Sequence, residues 1–149
     1  MVGATFLEVD IRTLEVRPGG PATAGIWLVT GSGAFPEVGW NDFVVVVLSW
    51  WAKALLESVR GSGVRRQVPF MEGPHSVAFT VSSGKLHYTL ISSDREVGAG
   101  GAELTPFVIA MISSSGEVLD ACKSRDWWST DAEILESLLA DLKWEIAKS

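Results

Sequence analysis

The chain is predicted to adopt an α+β fold: an antiparallel sheet of about five strands, one helix packed across it and two C-terminal helices. Three observations carry this. Period-two alternation fills the first thirty residues and returns around residues 76 to 92, a long apolar stretch continuing into good helix formers separates them, and capped amphipathic patterns fill the last third. The 149 residues suit a single domain, 1–149, with enough chain to build its own core.

In TFLEVDIRTLEVR, Leu7, Val9 and Ile11 share one face, and then Leu14 and Val16 take over. One extra residue near Arg12 and Thr13 restores both sets to the same side, so a long strand with a bulge is predicted. PGGPATAG makes a turn, and IWLVTG returns as a second strand. Later, VRRQVPFME reads as a strand in which Pro69 must sit at an edge or bulge, because it has no N–H for a ladder. SVAFTV and LHYTLIS then alternate across SSGK, with Gly84 supplying the turn of a hairpin.

Residues 40 to 51, WNDFVVVVLSWW, have β-branched composition but run into WWAKALLESV without a break. They are read as one helix from Asp42 to Val59, capped by Asn41 or Asp42, with Ser49, Lys53, Glu57 and Arg60 as a narrow polar stripe. Such a helix is buried on most of its circumference and forms the central beam of the core. It is too short to span a bilayer, since Phe43 to Ala52 is ten residues against about 20 required. Trp50 and Trp51 point about 100° apart, so one anchors the core facing the sheet while the other meets a second helix or lines a cleft.

After a glycine-rich break at GAGG, the next helix is expected to begin with Thr105 as cap, Pro106 in the first helical position, and Leu104 with Ile109 as a staple. SSSG at 113–116 is poor in helix formers, so a bend or division is expected there. The last helix opens on a capping box of Thr130 and Glu133 and is expected to bury Ile134, Leu135, Leu138, Leu142 and Ile146.

The net charge is −6, and residues 94 to 149 hold all of the surplus, with eleven acids against five Lys or Arg. Such a surface repels nucleic acid and anionic membrane and attracts a basic protein. Equally, acidic helices of this kind keep a small domain dissolved. Cys122 is the single cysteine, which excludes an intrachain disulfide and a Cys-rich zinc site and favours a reducing compartment. The N-terminus lacks a basic region followed by an apolar run, so a cytoplasmic location is expected.

No motif for catalysis, cofactor or metal stands out. His75 and His87 have no ligand-spaced partner, Cys122 lies in a helix that reads as structural, no G-x-S-x-G elbow is present, and the GSG and GAGG segments lack the sequel of a phosphate loop. Paired carboxylates such as Asp131 with Glu133 sit where a capped, solvated helix places them. The DWW at 126–128 is either a plug over the sheet or a partner-binding anchor, and Trp144 lies off the main apolar stripe among carboxylates. The expected partner-binding residues are therefore Asp94, Glu96, Asp126, Trp127, Trp128, Asp131, Glu133, Glu136, Asp141 and Trp144. The alternative is a small-ligand pocket, or a weakly marked enzyme, between sheet and helix, formed by Trp40, Trp50, Trp51, Glu72, His75 and Tyr88.

FPEVGWNDFVVVVLSWW followed by VPFMEGPHSVAF resembles a pattern of small bacterial proteins of uncharacterised activity. Phe35, Pro36, Trp40, Asp42, Phe43, Leu48, Trp50 and Trp51 carry the first block of the likeness, and Phe70, Met71, Glu72, Gly73 and Pro74 the second. More loosely, a small acidic α+β chain without catalytic motifs is similar to the immunity proteins that bacteria carry against polymorphic toxins. This likeness implies a non-catalytic protein that binds and neutralises one cognate toxin domain, basic where the chain is acidic, without cofactor, nucleic acid or membrane.

Overall fold

The computed structural model describes residues 4–61 and 63–148. Met1, Val2, Gly3, Ser62 and Ser149, and with them the start of the N-terminal segment and the middle of the GSG at 61–63, lie outside the described residues. The chain runs β1 (Phe6–Val16), β2 (Ala22–Thr30), β3 (Gly33–Phe35), β4 (Asn41–Asp42), α1 (Val44–Arg60), β5 (Arg66–Pro69), β6 (His75–Ser82), β7 (Lys85–Ser92), β8 (Arg95–Glu103), α2 (Leu104–Ser124) and α3 (Thr130–Ala147). Among the described residues no helix is long and apolar enough to cross a membrane.

The α+β class and the three helices are as expected, but the strands form two antiparallel sheets of four instead of one of about five. In the first, β2 pairs with β1, β3 and β4; in the second the order is β5-β6-β7-β8. The division follows from α1, which the chain enters directly from β4, so pairing stops there and restarts at β5. α1 then lies against β2 on one side and against β5 and β6 on the other, which leaves one continuous core.

The expected bulge in β1 is present: its register with β2 shifts between Asp10 and Glu15. Thr13 holds it, its hydroxyl donating to the Asp10 carbonyl and accepting from the Gly25 N–H, both at 2.7 Å. The β6–β7 hairpin closes on Ser83 and Gly84, both at positive φ, and Pro69 ends the edge strand β5.

GAGG is not a break. It lies within β8, because its glycines let the strand pass close to the β7 side chains. Tyr88 pairs with Gly100, and a Cβ built on Gly100 would overlap Tyr88 Oη and stand 2.6 Å from Cζ. Glycine here marks a close approach and hides the alternation that betrays a strand. Gly100→Ala is expected to cost about 1–3 kcal/mol in a chemical denaturation series. Gly116→Ala, where no atom lies near the added carbon, should instead stabilise α2 by about 0.5–1 kcal/mol.

The helix ends differ from expectation. α1 starts at Val44 with Phe43 as N-cap and no side-chain cap; Asp42 accepts from the adjacent Phe43 N–H and turns the rest of its carboxylate elsewhere. Ser49 is buried, its hydroxyl donating to the Val46 carbonyl, so it leaves the exposed stripe. α2 begins at Leu104, one residue before the expected Thr105 cap, and Ile109 is exposed, so no staple forms. α2 is also unbroken through SSSG. Phe107, Val108, Met111, Ser115, Val118, Leu119 and Cys122 form a buried stripe at helical spacing, and that burial overrides weak propensity.

Candidate functional site

Position by position, α3 shows how the candidate face arises. Ser129, not Thr130, is its N-cap, accepting the Ala132 N–H at 3.1 Å, and Asp131 and Glu133 follow in the first turn, where carboxylates suit the helix dipole. Ala132, Leu135, Leu139 and Leu142 are buried as α3 packs on α1 and α2. Ile134, expected in that stripe, is 47% exposed, because Ala132 and Leu139 move the buried arc around the helix by about one position. Nothing in the apolar count signalled this; the small Ala132 was the available clue.

Trp144 stands on the opposite face and is 67% exposed. At 100° per residue, Glu133, Ser137, Ala140, Asp141 and Lys148 lie within about 60° of it around the helix, Asp141 and Lys148 about one turn along it and Glu133 about three turns. Glu133, Asp141 and Asp131 hold no ion pair among the described residues, whereas Glu145 is engaged by Arg60 at 3.2 Å and Lys148 at 3.3 Å. Partial burial pushes the Glu145 carboxyl up, but the hydrogen bonds from Arg60 and Lys148 outweigh it and hold it below the usual glutamate range.

The other expected partner-binding residues are distributed. Trp127 is 7% exposed and its indole donates to the Gly20 carbonyl at 3.0 Å, so it is the plug that ties the α2–α3 connection to the β1–β2 turn. Trp128 remains exposed, with Lys123 Nζ 4.8 Å from its ring centre. Lys123 also donates to Glu136 at 2.8 Å, a hydrogen bond that raises its pKa above the usual lysine range. Asp126, Trp128 and Glu136 thus share a hollow that already contains its own cation. The α3 member of that hollow, Glu136, is about 12 Å along the helix from Trp144. Asp131 lines a separate groove with Gly20, Ala22, Phe43 and Val46. Asp94 and Glu96 lie at the β7–β8 turn, the length of β8 away from the start of α2. The acidic surface is therefore not one continuous site.

The alternative pocket is not assembled either. Trp51 and Tyr88 are in the core, and Trp50 lines a groove with Lys53, Glu57, Arg65 and Arg66 between α1 and β5. The two tryptophans part as expected. Trp40 and His75 do meet, with ring centres 5.0 Å apart, and each packs edge-on to a phenylalanine, His75 to Phe35 and Trp40 to Phe70. Asp42, 1% exposed, binds this cluster by accepting from Trp40 Nε1 at 3.0 Å and the Glu72 N–H at 3.2 Å. The two sequence blocks around residues 35–43 and 70–75 thus form one structural knot.

No protein-family model, curated protein or solved structure matches the chain. The reading of the site rests on its chemistry.

His75 Nδ1 lies 2.7 Å from Ser92 Oγ across the β6–β7 ladder, yet no described carboxylate bonds the other ring nitrogen to orient it as a base. Cys122 is buried, and burial pushes its thiol above the usual range although Arg125 pulls it down. That is the opposite of an activated nucleophile. Among the described residues no cluster of three His, Cys, Asp or Glu side chains is placed to hold a metal ion.

Proposed function

We propose that the chain is a non-catalytic binding protein of the immunity type, which engages a basic toxin domain through the outward face of α3. The observation that carries this reading is Trp144, a large aromatic two-thirds exposed on the helix crest, with Asp141 one turn before it and Glu133 three turns before it on the same side of α3, neither in an ion pair among the described residues. An exposed tryptophan is a typical anchor of an interface, and free carboxylates along the same helix face steer a basic partner and set the rate of encounter. Trp128, Glu136 and Asp131 then belong to the rim or to separate contacts, and Trp127 acts only by holding the α2–α3 connection.

The test is capture of the partner from native cells by the tagged chain, at low and high salt, in parallel with a variant carrying Lys at Asp131, Glu133, Glu136 and Asp141. A stoichiometric basic protein is expected with the unaltered chain, weakened by salt and lost with the variant while the variant's circular dichroism is unchanged. Equal capture by both proteins would overturn the placement on α3, and recovery of the chain alone would overturn the proposal.

A further inference from the structure

We propose that the groove between α1 and β5 is a binding site for a small organic anion, a carboxylate or phosphate head carried on a flat apolar body. The groove has a volume of about 460 Å³, within the usual range of ligand sites. On α1 its wall is Trp50, Lys53 and Glu57, which fall within about 60° of one another around the helix. Across from them stand Arg65, just before β5, and Arg66 and Gln67 of the strand. Three cations therefore meet one carboxylate, on a chain whose net charge is −6. This local reversal of sign draws an anion to the groove.

Arg66 is the decisive group. Its cross-strand neighbour is Phe79, which faces the core, so Arg66 turns to α1 and not to the outer face of the sheet. Its side chain is 29% exposed, Glu57 approaches it only at Nη1, at 3.5 Å, and Nε is buried without an acceptor. A guanidinium takes a carboxylate or phosphate two-pronged, and Glu57 does not use the fork of Nε and Nη2. A buried N–H without an acceptor is costly, which favours an anion on that side. Lys53 and Arg65 are exposed and hold no ion pair among the described residues. Trp50 supplies the surface for the rest of the ligand. It is half-buried, and among the described residues its ring stacks on no other and its indole N–H has no hydrogen-bond partner. A flat ring beside cations suits a planar body that carries a negative head.

A polypeptide strand is not the occupant. The Phe70 N–H bonds the His75 carbonyl, so by alternation Val68 and Arg66 also face β6, while Gln67 and Pro69 face outward. Proline has no N–H, so the β5 edge offers an added strand the single N–H of Gln67. All of these groups belong to α1 and the β5 segment, so the site stands whether or not the α3 face binds a toxin.

Titration of the isotope-labelled full chain with phenyl phosphate, benzoate and inorganic phosphate, followed by nuclear magnetic resonance, tests this. Saturable shifts of the Gln67 amide and the Trp50 indole signal are expected with phenyl phosphate or benzoate, and the tighter of the two identifies the head. Lys53→Gln and Arg66→Gln are each expected to weaken that binding about tenfold, and Trp50→Ala to reduce it to the level of inorganic phosphate. Should Arg66→Gln unfold, Lys53→Gln, at an exposed position, decides. No saturable shift across the millimolar range, undiminished affinity in Lys53→Gln, or inorganic phosphate binding as tightly as phenyl phosphate overturns the proposal.

Discussion

Replacing Trp51 with alanine is expected to lower the free energy of unfolding by about 3–5 kcal/mol in chemical denaturation, a large share of the ~5–15 kcal/mol that stabilises a typical domain. Trp51 is 1% exposed, stacked on Phe79 of β6 with ring centres 5.6 Å apart and planes 3° from parallel, and it meets Phe107 of α2 at the same separation. One side chain on α1 thereby joins the second sheet to α2. Its removal leaves a cavity that neither rigid neighbour can fill, because a sheet and a packed helix relax only partly. Trp144→Ala provides the contrast, with an expected change within about 0.5 kcal/mol, as for other exposed positions. A small loss at Trp51 would mean that α1 is not seated on β6 as described.

The second large effect is expected at Asp42. Its carboxylate is buried and accepts from Trp40 Nε1, the Phe43 N–H and the Glu72 N–H, at 3.0, 2.7 and 3.2 Å. Asp42→Ala strands these three donors and should cost about 3 kcal/mol, since a hydrogen bond to a charged group contributes about 1.5–3 kcal/mol and the bonds are not additive. Asp42→Asn keeps one acceptor oxygen and should fall between the two in the same denaturation series. Gly73 shows how closely the knot is built: it has φ +70°, and a Cβ there would sit 3.0 Å from the Trp40 ring. An Asp42→Ala chain as stable as the original would show that the knot does not hold the start of α1 to the loop before β6.

These residues also show what was legible in the sequence. The β1 bulge, the β6–β7 hairpin, the edge position of Pro69, and α1 as a buried beam all follow from local periodicity and turn chemistry, which act over a few residues. What could not be read depends on contacts made far along the chain. β8 was hidden because Tyr88 requires glycine opposite it, and α2 was expected to bend or divide because burial of Ser115 against Met111 is invisible in a propensity count. Asn41 or Asp42 was expected to cap α1, since the spacing of a cap is local while the bond of Asp42 to Glu72 spans thirty residues. At the candidate site, Trp144 was singled out correctly as lying off the apolar stripe, and the misphased stripe concealed the exposure of Ile134. The ten expected binding residues were grouped by charge and composition. Only the helix geometry lines Glu133, Asp141 and Trp144 along one side of α3 and turns Glu136, which closes the self-neutralised hollow at Trp128, about 60° or more away from them.

The central claim is that the α3 crest binds a partner and that Trp144 anchors it. The most direct measurement is the dissociation constant of the captured partner with the unaltered chain and with Trp144→Ala, at fixed salt and with equal thermal stability verified. The account predicts a loss of about 2 kcal/mol, roughly 30-fold in affinity, carried mainly by faster dissociation. Unchanged affinity in the Trp144→Ala protein would contradict it.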